Sequence, residues 1–179
     1  SITTGTVQLN FKHLLSQVSF EFENAFTIQG YTLDITDLSF SVKNQGNYAS
    51  TGWGVTDTPT KTNTQASVAT DVVTSNSVSS ESWFVIPQSN TSYTASFTAT
   101  IKDNNKVVVK TNTFSNIPLK TGTTTTPGGD SNEWKSGYRY KYTAEINPTN
   151  MGLNEIQFTV SVNEWEDAAP EIDVTPKNP

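Results

Sequence analysis

Residues 7–23 carry two extended patterns that do not share a phase. Val7, Leu9 and Phe11 fall on one face of an extended chain, and Val18, Phe20 and Phe22 fall on one face further along. Successive side chains of a strand point to opposite faces, so one straight strand cannot bury both the odd and the even set. Between them, Phe11, Leu14, Leu15 and Val18 have the spacing of a helical turn. A strand, a short turn or bulge, and a second strand satisfy both patterns. His13, the only histidine of the chain, stands in the break.

The same device recurs downstream. Tyr31, Leu33 and Ile35 share one face, Leu38, Phe40 and Val42 share the opposite one, and Thr36-Asp37 lies between them, again where a bulge or corner belongs. Asn44–Asn47 has turn chemistry, and Tyr48–Val55 is expected to pair back across it. Thr56–Ser80 is rich in Thr, Ser and Asn and gives no clean period. A structureless excursion of that length is uncommon inside a compact domain, so at least one short strand is expected there.

Ser82–Gln88 is a compact apolar run ended by Pro87, which reads as a buried strand leaving a sheet. Tyr93, Ala95, Phe97, Ala99 and Ile101 alternate without fault, and Asp103-Asn-Asn105 supplies a turn back into Lys106–Phe114. Residues 117–132, with Pro118, four successive threonines and Pro127-Gly-Gly-Asp130, read as a loop. Tyr138 to Ile146 alternate, Asn147-Pro148 breaks the run, and Ile156 to Val162 alternate back, with Trp165 arriving at the other parity. Strands of this length with turns every ten or so residues describe an all-β, two-sheet sandwich.

Composition supports that reading and narrows the partners. The residues that favour long helices are scarce, while β-branched and aromatic residues are plentiful. The formal net charge is −6 and Arg139 is the sole arginine, which argues against a nucleic-acid partner and against an anionic membrane surface. No apolar run approaches a bilayer span, and Ser1 opens no signal peptide, which a mature chain would have shed. The absence of cysteine excludes disulfides and thiolate metal sites. The low charge and the Thr/Ser/Asn-rich surface lean towards a place outside the cell.

The chemistry-bearing residues do not assemble into a site. His13 has neither a nucleophile elbow for acid–base work nor a second histidine or cysteine for a metal, and is read as a structural histidine bonded to backbone at the bend. Asp34 with Asp37, and Glu164 with Glu166 and Asp167, read as solvated turn residues, since no calcium-loop pattern contains them. No cofactor, metal or catalytic residue is therefore expected. Trp83 belongs to the core. Trp53, between glycines, and Trp134, in a polar stretch before Gly137, are the two rings expected to meet a ligand. Asn90-Thr-Ser92 matches the N-glycosylation triplet, a pattern short enough to arise by chance.

Four stretches in order carry a resemblance. Val7–Ser16, as Val-x-Leu-x-Phe-x-His-x-Leu-Ser, resembles the opening motif of the C-terminal domain of fimbrillin-like proteins of Bacteroidales, the family of type V pilins. Phe84-Val-Ile-Pro-Gln88 is similar to the family's apolar-Ile-Pro-Gln element. Trp134-x-x-Gly137-Tyr-x-Tyr140-x-Tyr142 resembles its Gly-x-x-Tyr-x-Tyr strand, and Ile156–Trp165 its closing strand with a late tryptophan. Gln17 departs from the lysine or similar residue that usually follows the Leu-Ser or Leu-Ala pair, and the family's N-terminal domain with its lipobox is not among these residues.

The resemblance implies a transthyretin-like β-sandwich with Greek-key-type connections over residues 1–165, and a C-terminal tail, 166–179. It implies a structural or accessory subunit of a cell-surface fimbria, exported as a lipoprotein precursor, that joins other fimbrial subunits by strand exchange and supports adhesion. Ile172 and Val174, which share a face of the tail, are the candidate donor-strand anchors. The alternative is an adhesin domain that binds host or bacterial surface glycans or proteins through Trp53 and Trp134. An enzyme is the weakest reading.

Overall fold

A computed structural model describes residues 12–57, 59–121, 132–153 and 155–165. Among the described residues, thirteen strands and one short helix follow one another: β1 Ser16–Asn24, β2 Thr32–Lys43, β3 Gly46–Ala49, β4 Gly52–Val55, β5 Thr60–Val73, β6 Ser77–Ser79 and β7 Trp83–Val85. Then come β8 Gln88–Ser89, β9 Thr94–Lys102, β10 Val108–Pro118, β11 Glu133–Trp134, β12 Tyr138–Ile146, α1 Pro148–Leu153 and β13 Thr159–Glu164. The chain is all-β, as its alternation requires.

Two larger sheets share one core. The first has the order β13-β12-β1-β6, with β7 also paired to β1. The second has the order β10-β9-β2-β5. Their inner faces meet through aromatic side chains: Phe22 of β1 lies edge-on to Phe97 of β9 at 4.6 Å, and Phe20 reaches Phe40 of β2 at 5.4 Å between ring centroids. Val18, Phe20 and Phe22 are fully buried, so the even-numbered face of the opening stretch is the core face. The strand proposed for Val7–Phe11 lies outside the described residues.

β1 and β12 run parallel, from Gln17 beside Arg139 to Asn24 beside Ile146. A parallel pair needs a long crossover, and here most of the chain lies between the two strands. The consequence for function is simple. Both strands begin at the same end of the molecule, so the segments that lead into them lie side by side there.

β2 bears out the phase shift. Leu33 and Ile35 are buried, and so are Leu38, Phe40 and Val42, because its pairing with β9 slips between Thr36 and Ser39 and Asp37 takes φ 55°. The bulge turns the strand by one residue and returns its apolar set to the core. The β9–β10 and β12–β13 hairpins also form where alternation placed them. β10 runs on to Pro118, however, because Ile117 pairs with Ala95 and is buried.

Two local expectations are corrected, and a third is exceeded. Gly46 and Asn47 belong to β3, which pairs with β4 in a separate two-stranded sheet whose turn is Ser50-Thr51. Thr56–Ser80 holds the expected short strand, β6, and beyond it β5, at 14 residues the longest strand among the described residues. The run at Ser82–Gln88 forms the three-residue β7 and the start of β8, with Val85 buried and Phe84 58% exposed.

Candidate functional site

The described parts of the four stretches that carry the resemblance meet at the end where β1 and β12 begin. Ser16 Oγ donates to the Lys135 carbonyl at 2.8 Å, Ser136 Oγ to the Leu14 carbonyl at 3.0 Å, and the Gly137 amide to the Leu15 carbonyl at 3.1 Å. Gly137 has φ +79°, and there a side chain would strain the turn that aims β12 into the sheet. β13 runs antiparallel to β12 and so ends at the same place, where the Trp165 amide donates to the Gly137 carbonyl at 2.6 Å. β7 pairs with the start of β1, setting Phe84 opposite Gln17.

This convergence builds a stack of three parallel rings. His13 and Trp165 lie 3.9 Å apart with 6° between their planes, and Phe84 and Trp165 lie 5.3 Å apart with 4°. Phe84 is exposed, while His13 and Trp165 are half-buried. The late parity of Trp165 thus has a purpose: it takes the ring off the core face and sets it beside His13. Sequence reasoning missed Phe84 and Trp165 as surface groups, since both sit in apolar or alternating runs that read as core.

Beneath the stack is a buried network. Trp134 is fully buried in β11, paired with Gln88 of β8, and its Nε1 donates to the Tyr142 hydroxyl at 2.9 Å. Tyr142 in turn donates to the Leu119 carbonyl at 2.7 Å. Burial pushes the Tyr142 hydroxyl well above its ordinary pKa, with its hydrogen bonds opposing only part of that rise. Tyr93 stacks on Trp134 at 5.5 Å and donates to Gln88 Oε1, whose amide Nε2 holds the Lys43 and Ile86 carbonyls. The expectation that Trp134 meets a ligand is therefore corrected: a ring with no exposed surface has no face to offer.

Trp53 lies apart from that network and nearer to solvent. It is half-buried, its Nε1 donates to the Leu14 carbonyl at 2.7 Å, and exposed Tyr48 meets it edge-on at 5.4 Å. Asn90, the acceptor of the glycosylation triplet, is fully buried, which leaves it inaccessible for modification in the folded chain. Ile172 and Val174 lie outside the described residues. What this end offers chemically is a flat aromatic surface bordered by hydrogen-bonding groups.

A family model described as fimbrillin-like matches residues 1–165. The chain belongs to the fimbrillin-like family. Among solved structures, it is similar to a fimbrial protein from Bacteroides vulgatus with a TM-score of 0.56 and 12% identity, over 87% of this chain and 55% of that one. Identity at that level speaks for the fold. A candidate cell adhesion protein from Bacteroides ovatus aligns over 87% of this chain and 46% of that one, with a TM-score of 0.41 and 14% identity. The chain thus spans about half the length of the solved structures it matches. No curated protein sequence matches it.

Proposed function

We propose that this fimbrillin-like chain is a structural or accessory subunit of a cell-surface fimbria, with no catalytic role, and that it joins other subunits by strand exchange. Family membership over residues 1–165 is the observation that carries the reading. In this reading the two larger sheets form a transthyretin-like sandwich, and the whole protein is exported as a lipoprotein precursor to the cell surface.

The pairing of β1 supports the exchange step. On one side β1 is laddered to β12 over eight positions, from Gln17 to Asn24. On the other it has, among the described residues, only β6 and β7, three positions each, joined by a segment in which Ser80 bonds the Phe20 amide and carbonyl. A full-length strand from another subunit would replace two short pieces with one continuous ladder, the physical basis of β-augmentation. The tail 166–179, with Ile172 and Val174 as alternate anchors, is the proposed donor. Deleting residues 166–179 should abolish polymerisation, seen by electron microscopy, while circular dichroism still reports a folded monomer; normal fibres from the shortened chain would remove the tail from the mechanism.

A second reading, adhesion to surface glycans or proteins, is favoured by the position of Trp53. Its ring is half-buried beside exposed Tyr48, a geometry in which a sugar ring can stack. Glycan-array binding by the wild-type chain that disappears in Trp53→Ala is the expected result, and binding unchanged by that substitution would rule the ring out.

A further inference from the structure

The two larger sheets present different outer faces. On the first, Glu21, Glu23, Arg139, Lys141 and Glu145 alternate with the buried residues of β1 and β12, and Lys141 pairs with Glu21 at 2.9 Å. Mixed charge of that kind is usual on a solvated surface. On the second, Ala95, Phe97, Ala99 and Ile101 of β9 are buried, so Ser96, Thr98 and Thr100 point away from the core. Around them the register sets hydroxyl beside hydroxyl. Thr113 of β10, Thr98 of β9, Thr36 of β2 and Ser67 of β5 make one row across the four strands, and Ser96, Ser39 and Thr64 make the next. Thr98 bonds Thr113 at 3.1 Å, Thr100 bonds Thr111 at 3.0 Å, and Ser41 bonds Thr62 at 2.7 Å, hydroxyl to hydroxyl.

Threonine favours exposed strands by propensity alone, but propensity does not keep charge away. In and beside these rows the charged groups are Asp34, held by Lys102, and Asp37, which sits at the bulge and accepts from Thr36. Two hydroxyls that bond each other use one proton of two, so each pair still offers one O–H donor and spare acceptor lone pairs. The cross-strand bond also restrains both side chains, which lowers the entropy lost when a ligand binds. Threonine sets methyl groups between the hydroxyls. The face is therefore amphipathic on the scale of its strand spacing, about 5 Å across the sheet and about 7 Å along it.

One part of this face is concave. The pairing of β2 with β9 stops at Phe40 and Ala95. Beyond it lies an open groove of about 270 Å³, lined by Ser39, Ser41, Thr94 and Ser96 together with Tyr93. Tyr93 is fixed there by its stack on Trp134 and its bond to Gln88.

We propose that the outer face of the β10-β9-β2-β5 sheet, with this groove, binds an uncharged polysaccharide. A sugar ring carries hydroxyls that both donate and accept, separated by C–H groups, and the face offers the matching alternation of hydroxyl and methyl. A polyanion would meet Asp37 and a chain of net charge −6, and a polycation would find Asp34 already neutralised by Lys102. Each hydroxyl contact is weak, so a polymer that touches several rows at once is favoured over a single sugar. The inference shares a ligand class with the adhesion reading and uses a surface of its own, independent of Trp53.

Biolayer interferometry on immobilised dextran, galactomannan and arabinoxylan, with polygalacturonate as an anionic comparison, tests this on the full chain. At least one neutral polymer should bind with a Kd below about 1 mM, and salt between roughly 0.05 and 0.5 M should leave that binding unchanged. Thr98→Val with Thr113→Val keeps the side-chain shape and removes two hydroxyls, and should weaken binding at least about tenfold, as should Ser39→Ala with Ser96→Ala. Thr143→Val with Thr159→Val, a paired position on the first sheet, should change nothing, and nor should Trp53→Ala.

No neutral polymer bound by about 1 mM protein overturns the proposal, and so does polygalacturonate bound as tightly as the neutral polymers. Undiminished binding in both hydroxyl variants overturns it as well. Binding lost in Trp53→Ala alone overturns it while leaving the Trp53 reading intact. Should the valine pair fail to fold, Thr98→Glu replaces it, with the same loss expected from a charge set in the middle of the face. A dimer that Thr98→Glu dissolves, with no polysaccharide bound, assigns the face to a second copy and overturns the proposal.

Discussion

β1 and β5 are both strands, yet they are held in place by different forces. β1 has nine residues, neighbours on both sides, and Val18, Phe20 and Phe22 with no exposed surface. β5 has 14 residues and one long neighbour, β2, and Asn63 is its only buried residue. Val68 and Val72 pack against the core only in part, and two register shifts interrupt its ladder with β2. β1 is stabilised by burial and β5 mainly by its hydrogen-bonded edge. The difference teaches that hydrophobic alternation reports how deeply a strand is buried, not whether the strand exists.

The largest test of that contrast is a pair of truncations. Phe20→Ala removes a ring that touches Phe40, Trp83, Tyr142 and Phe158, and should lower unfolding free energy by about 3–5 kcal/mol in urea titrations. Val68→Ala in β5 should lower it by about 1 kcal/mol or less, since the side chain is half-exposed. Comparable losses at the two positions would break the distinction.

A smaller effect is expected at Tyr142, on the strand laddered to β1. Tyr142→Phe leaves the Trp134 N–H and the Leu119 carbonyl without a shared partner and should lower stability by about 1–3 kcal/mol. Its pH dependence has a definite sign. The hydroxyl keeps its proton in the folded chain above 10.0, the ordinary tyrosine value, where the unfolded chain loses it. The stabilisation is complete below that pH and is lost as pH rises past it. Thermal melts between roughly pH 9 and 11 should therefore fall more steeply for the wild type than for Tyr142→Phe; equal slopes would refute the assignment.

The smallest effect belongs to the half-exposed stack. His13→Ala removes one parallel ring from Trp165 and should lower stability by about 0.5–1.5 kcal/mol, with any ligand binding unchanged. Binding lost in a folded His13→Ala variant would turn this end from a structural junction into a recognition site.

The legible parts of the fold were those where burial writes itself into the chain locally. Ala95 to Ile101 and Tyr140 to Ile146 alternate because one face of each strand meets the core. The shift from Ile35 to Leu38 revealed the bulge because both sets had to be buried. β5 was legible only as a region that ought to hold a strand, because an edge strand has little to bury. Trp134 was misjudged for the opposite reason. Its neighbours Asn132, Glu133, Lys135 and Ser136 are polar, and what covers the ring is Tyr93, just before β9, and Tyr142 of β12.

By itself the sequence determined an all-β chain, the phase of its central strands, and through four ordered stretches its family. Those properties depend on side-chain alternation and local turn chemistry, which act between residues close in the chain. Tertiary structure alone decided that His13, Phe84 and Trp165 form one stack, and that Trp134 and Asn90 are sealed. The physical reason is the parallel pairing of β1 with β12. It brings both strand starts to one end of the molecule, and no local pattern specifies which distant segments will share it.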